Sequence, residues 1–399
     1  MDLQFDSLTT LMLAVLCLLL GTFLKNHVKW LQTFCIPSPV IGGFLVSLLM
    51  WFLHTQTSVR IAFDTTLQTP LMVAFFTTVG IGGSYQLLKT GGKTLIVYLF
   101  ICWGLALFQN AFGAMLASAF GLNPVLGVMA GSVALEGGHG AAAAFGQMAE
   151  GLGVQSATTV AIAAATFGLI SGSLIGGPLA NFLITRYKVA IKADDIDEVA
   201  VDAKQADEPI SSTSFFKTLA VVLVIMVAGL YIATRFTDST GFALPSYVGA
   251  MLVAIVLRNV NDHTKTVALH QKTVDLISDV SLGVFLTMAM MSLKIWELSA
   301  VALPLLIILL LQVLALVLFT IFIAFKALGK NYDAAVMCAG LLGHGLGATP
   351  NAVANMASVS EKYKLVSKKA FLIIPLCGAV LIDIVAIPYH TWIINFLVN

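Results

Sequence analysis

The sequence predicts an all-α polytopic membrane protein of two inverted repeats, each with five transmembrane helices and one re-entrant hairpin. Three observations carry that reading: an apolar composition, an internal repeat at an offset near 210 residues, and two glycine-rich interruptions of apolar sequence. The chain is 59% hydrophobic and 10% charged, with a mean hydropathy of +0.96, against about 25% charged in an average soluble protein. Its 399 residues suffice for ten or so spans of about 20 residues each. A net charge of +1 leaves no electrostatic footprint for nucleic acid. Cys17, Cys35, Cys102, Cys338 and Cys377 are odd in number and scattered in apolar surroundings, so neither a disulfide framework nor a Cys-based metal site is expected. Asp2 and Asp6 stand where a signal peptide would be basic, so the first apolar run is expected to be a retained span.

Taken in order, the spans fall near residues 7–24, 36–53, 70–88, 94–120 and 156–185, with the first interruption before the last of these. Residues 186–213 carry Asp194, Asp195, Asp197, Glu198, Asp202, Asp207 and Glu208 beside Arg186, Lys188, Lys192 and Lys204, a charge run expected to be a solvated linker. Spans near 214–235, 244–257, 274–293 and 299–325 follow, then the second interruption, then 370–393. Ile36-Pro37-Ser38 answers Leu244-Pro245-Ser246, Phe75 and Thr77 answer Phe285 and Thr287, and Gly168 and Pro178 answer Gly378 and Pro388. Residues 1–185 and 214–399 are therefore read as the two repeats. With one hairpin that returns to its own side, each half crosses the membrane an odd number of times, so the halves must be inverted.

Charge gives an independent test through the positive-inside rule. With the N-terminus outside, 18 of the 21 Lys and Arg fall on the cytoplasmic side, Lys89 and Arg258 among them, and only Arg60, Arg235 and Lys294 remain outside. The first hairpin then enters from outside and the second from the cytoplasm.

The interruptions are LNPVLGVMAGSVALEGGHGAAAAFGQMAE at 122–150 and NYDAAVMCAGLLGHGLGATPNAVANMAS at 331–358, the second hairpin running to about 360. A helix interior loses about 1 kcal/mol per Gly relative to Ala, and an ionisable side chain at the bilayer centre costs at least roughly 2.5 kcal/mol. A stretch holding Glu136, Gly137, Gly138, His139 and Gly140 together is expected to break its helix, as is one holding Gly343, His344, Gly345, Gly347 and Pro350. Paired breaks, one per half, mark the binding site of many secondary transporters.

Gly137-Gly138-His139-Gly140, Gly345-Leu346-Gly347-Ala348-Thr349-Pro350, Lys330-Asn331-Tyr332-Asp333-Ala334-Ala335 and Leu293-Lys294-Ile295-Trp296-Glu297-Leu298 resemble motifs of the bacterial sodium/glutamate symporter family. Ile36-Pro37-Ser38-Pro39-Val40 and Leu71-Met72-Val73-Ala74-Phe75-Phe76 extend the likeness over both halves. The resemblance implies five-plus-five inverted repeats with two re-entrant loops, sodium-coupled uptake of an acidic amino acid, a homodimer, and the bacterial inner membrane, with both termini outside and the linker cytoplasmic. No cofactor is implied; Na⁺ is the coupling ion. The chain departs from it at Glu136, Ala141 and His344, where the family carries Ser, Thr and Phe.

A Na⁺ ion leaving water needs hard oxygens, and unwound backbone supplies carbonyls. Half-helix N-termini suit a substrate carboxylate. Ser132, Thr349, Asn351 and Asn355 are candidates to complete either shell, although each is equally suited to bridging neighbouring helices. Asp383 lies mid-span and is a candidate Na⁺ ligand or proton carrier, with Ser132 and Thr349 as further Na⁺ candidates; its alternative is a structural partner for a hydroxyl or a histidine. His139 and His344 read first as hydrogen-bonded structural groups, although histidine can relay protons. Pro350 is expected to free a carbonyl one turn earlier. Gly168, Gly172 and Gly176 have the spacing of close helix packing, and Trp296 with Glu297 is placed at the outer interface.

The function expected is sodium-coupled symport of glutamate or a related small acidic solute, with the hairpins and the fifth span of each half moving as one transport unit. A proton-coupled symporter of another organic anion or amino acid, using Glu136 and Asp383, is the alternative in mechanism. An intramembrane enzyme using His139, His344 and the carboxylates is the alternative in class, although no HExxH or GxSxG pattern is present. Glu136 sharpens the choice, since an ionised carboxylate 4 Å from an anionic substrate repels it by roughly 4 kcal/mol at an effective dielectric of 20. Glu136 is therefore expected to be protonated, paired with a cation, or set against a positive group of the substrate.

Overall fold

The computed structural model describes residues 2–33, 36–57, 60–85, 92–189, 210–240, 244–296 and 301–398. Most of the charged linker, with the cations Lys192 and Lys204, lies outside these residues, as do Cys35, Lys89 and Glu297. Helix dominates. In chain order the first half contains α1 (Ser7–His27), α2 (Ser38–Gln56), α3 (Gln68–Gly82), α4 (Gly92–Ala119), α5 (Pro124–Met129), α6 (Ser132–Leu135), α7 (Gly138–Gly151) and α8 (Ala157–Arg186). The second half contains α9 (Ser212–Thr240), α10 (Ser246–Thr264), α11 (Gln271–Met291), α12 (Ala302–Phe319), α13 (Tyr332–Gly345), α14 (Thr349–Tyr363), α15 (Lys368–Leu376) and α16 (Asp383–Val398). A π-helical turn, Thr320–Ala324, continues α12, and a second, Cys377–Leu381, joins α15 towards α16.

Among the described residues seven helices are long and apolar enough to cross a membrane: α1, α2, α4, α8, α9, α11 and Ala302–Ala327. The other three expected spans are helical too, but α3 has only 15 residues. Helix α10 carries Arg258, Asn259, Asn261 and Asp262 in its last turns, and the final span is divided by its π turn. Arg258 is thus on a helix rather than in a loop, where a salt bridge of 2.9 Å to Asp262 holds it. Strands β1 (Asp2–Phe5) and β2 (Arg60–Phe63) pair in parallel, a small departure from an all-helical chain that the hydropathy pattern does not reveal.

Helix starts follow from local chemistry. The Asp6 side chain accepts from Thr9 N at 2.7 Å and caps α1, a bond that holds its carboxyl below the ordinary aspartate range. Asn123, Asn331 and Ser367 cap α5, α13 and α15 in the same way.

The helices gather into two compact units, each drawn from both halves of the sequence. The first unit contains α1–α3 and α9–α11. Ile81, Val222, Ile225, Ala254, Val274 and Ile277 form one core there, and Ala14, Val284, Met288 and Met291 another. The end of α3 is tied to α10 through Asn259, which donates to Gly83 O at 2.8 Å and accepts from Tyr85 N at 2.7 Å. Trp296 stacks on His54 with ring centroids 4.3 Å apart. The second unit contains α4–α8 and α12–α16, and so both interrupted stretches together with the fourth and fifth spans of each half. The four described cysteines are free.

Candidate functional site

The first interruption breaks its helix twice, at Ala130-Gly131 between α5 and α6 and at Glu136-Gly137 between α6 and α7. Gly138 adopts φ +61°, a left-handed conformation that disfavours a side chain, and a Cβ there would lie 3.3 Å from Gly347 O. The second interruption breaks once, at 346–348 between α13 and α14. The two breaks therefore meet within one unit. Pro350 does not free a carbonyl inside a helix. It occupies the first turn of α14, where its missing N–H has no helical partner to lose.

Helix α8 packs against both interrupted stretches. A Cβ at Gly168 would lie 2.0 Å from Leu346 O, and one at Gly172 2.9 Å from Leu342 O, so the glycine row brings α8 against the backbone of the second interrupted stretch. Asn351 Nδ2 donates to Leu169 O at 2.9 Å, and Asn355 Nδ2 donates to Gly172 O at 2.9 Å and to Ala339 O at 3.3 Å. These amides bridge helices, and the Asn351 Oδ1 remains buried with no partner.

The other candidates fall around the same breaks. Ser132 N donates to Asn110 Oδ1 at 2.8 Å; its hydroxyl donates to Ala106 O at 3.0 Å and lies 3.0 Å from His390 Nε2. His139 Nε2 lies 3.0 Å from the hydroxyl of Thr166. His344 Nε2 lies 2.5 Å from the buried hydroxyl of Tyr98. Gly345 O accepts from Gln109 Nε2 at 3.0 Å, and a Cβ at Gly343 would lie 2.4 Å from Ala352 Cα, so α13 and α14 approach closely beside the second break. Thr349 and Asp383 are half-buried. A Cβ at Gly378, on the second π turn, would lie 3.3 Å from both His344 Cγ and Thr349 Oγ1, so the last span comes up against the second break. Glu136 is 9% exposed, and both its carboxylate oxygens are buried without a hydrogen-bond partner.

A family model described as sodium/glutamate symporter matches residues 3–365. The chain belongs to that family. It is 40% identical over 390 residues to the sodium/glutamate symporter of Haemophilus influenzae, with 96% of each chain covered. Against the sodium/glutamate symporter of Escherichia coli strain K12 it is 40% identical over 385 residues, again with 96% of each covered. Among solved structures, the sodium proton antiporter MjNhaP1 of Methanocaldococcus jannaschii aligns over 98% of both chains with a TM-score of 0.44 and 14% identity. A sodium/glutamate symporter family is one of transporters, so the intramembrane-enzyme reading falls.

Several residues that hold the interrupted stretches escape a reading by motif. Gln109 and Asn110, adjacent on α4, hold one stretch each: Gln109 through Gly345 O and Asn110 through Ser132 N. Gln312 on α12 donates to Gln109 O at 2.7 Å. Tyr98 and His390 complete the set. The available signal was polarity: a Gln-Asn pair and a lone Gln deep in apolar spans, and a histidine two turns beyond Asp383, have no place in a membrane helix unless partnered.

Proposed function

We infer that the chain is a sodium-coupled symporter of glutamate. The observation that carries this reading is the family match over residues 3–365, on a chain whose two helix breaks meet at Gly138 and Gly347. The coupling ion is Na⁺ and no cofactor takes part. Half-helix N-termini at Gly138 and Thr349 offer free N–H groups to substrate carboxylates, and Asp383, Thr349 and Ser132 supply oxygens to Na⁺. The two halves are inverted repeats of five spans, each break is the tip of a re-entrant hairpin, and the protein works as a homodimer in the bacterial inner membrane with both termini outside. The hairpins move with the fifth span of each half as the transport unit, a grouping supported by the packing of these elements, together with the fourth spans, into one compact unit.

Purified protein in liposomes should accumulate glutamate when a Na⁺ gradient is imposed and not when a proton gradient is imposed alone. Uptake driven by the proton gradient without Na⁺ would overturn the coupling assignment. In a Cys-less background, single cysteines at Ser239 and Ala203 should react from opposite sides of the membrane; reaction from one side removes the inverted arrangement.

A further inference from the structure

Glu136 is a buried ionisable side chain of the second unit whose state the fold leaves unexplained. Both carboxylate oxygens are shut from solvent without a hydrogen-bond partner, and Glu136 is in no ion pair among the described residues. A buried carboxylate does not stay ionised in a dry interior unless a positive charge joins it. The setting supplies further oxygens: α6 ends at Glu136, α7 starts two residues later, and Gly347 O reaches the turn at Gly138. Among the described residues no three His, Cys, Asp or Glu side chains gather to hold a metal, which argues against a transition metal. A carboxylate beside unwound backbone carbonyls suits a hard cation.

We propose that Glu136, at the first helix break, forms a Na⁺ site apart from the one assigned to Asp383, and that the protein therefore binds one Na⁺ more than it would with serine, the residue the family resemblance places at this position. The extra ion offsets the carboxylate that would otherwise repel an anionic substrate. Its contribution to transport rests on the sodium/glutamate reading; its contribution to binding does not.

The test is equilibrium binding of radioactive Na⁺ to the purified full-length protein without any solute, followed by the Na⁺-to-glutamate flux ratio in liposomes. Wild type should bind one Na⁺ per chain more than Glu136→Ser, and Glu136→Asp, which keeps the charge, should retain that ion. The flux ratio should fall by one in Glu136→Ser. Equal Na⁺ binding by wild type and Glu136→Ser overturns the proposal. So does a proton flux that accompanies glutamate in wild type and vanishes in Glu136→Gln at an unchanged Na⁺ ratio, because Glu136 then carries a proton instead. If Glu136→Ser does not fold, wild type alone decides, since saturation at a single Na⁺ per chain overturns the proposal and saturation above one supports it. Extra Na⁺ bound by a protein that moves no glutamate upholds the site and removes the substrate assignment.

Discussion

Replacing Gly168 by alanine adds one methyl group where α8 meets the second hairpin. That methyl would lie 2.0 Å from Leu346 O, 2.8 Å from Leu135 Cδ2 and 3.1 Å from Leu346 C. Ordinary contact begins near 3.4 Å, so the carbonyl must retreat by 3.4 − 2.0 = 1.4 Å or the helix must move by as much. The obstacle is backbone at the helix break, which has no rotamer to change. Overpacking of this kind costs about 1–3 kcal/mol, and a backbone clash belongs at or above the upper end. Against it stands a gain of about 1 kcal/mol from Ala over Gly in a helix, leaving a net loss of about 2 kcal/mol. Gly104→Ala on α4 is the control, because a Cβ there meets nothing within 4 Å and only the helix gain remains. Thermal unfolding of detergent-purified protein should place Gly168→Ala several degrees below wild type and Gly104→Ala at or above it. Gly172→Ala, with its nearest atom at 2.9 Å, should fall between. Glutamate uptake should decline in the same order, since Leu346 belongs to the second break, where the substrate site is proposed. A Gly168→Ala protein as stable and as active as Gly104→Ala would refute the claim that this glycine row sets the approach of α8.

Asp383→Asn should raise the Na⁺ concentration for half-maximal uptake several-fold while the amount of protein in the membrane stays the same; an unchanged Na⁺ dependence would return Asp383 to a purely structural role. His344→Phe removes the partner of the buried Tyr98 hydroxyl and should cost about 1–3 kcal/mol for the group left unpaired. Adding Tyr98→Phe should recover most of that loss in thermal unfolding, and a double variant no more stable than His344→Phe would show that the pair does not act as one unit.

The difference between what hydropathy reveals and what it hides has a physical origin in this chain. A run of twenty apolar residues must be helical at membrane depth because every backbone group needs an internal partner, so α1, α4, α8 and α9 are legible within a few residues. The breaks are legible for the converse reason, since Glu136 with Gly137 and Gly138 cannot sit in a continuous helix at low cost, and the left-handed φ of Gly138 is what that composition permits. Position along the chain says much less about partners. Gln109 reads as one polar residue in an apolar span, and only the folded unit brings its amide to Gly345 O, 236 residues away. Pro350 shows the same limit in reverse: its chemistry was legible, but whether a missing N–H frees a carbonyl or harmlessly begins a helix depends on whether the chain before it is already unwound. At 346–348 it is, so Pro350 fixes the start of α14 and the break itself falls to Leu346, Gly347 and Ala348. Gln109 and Asn110, neighbours on α4, hold the second and the first break respectively, and neither partner could be named from position along the chain.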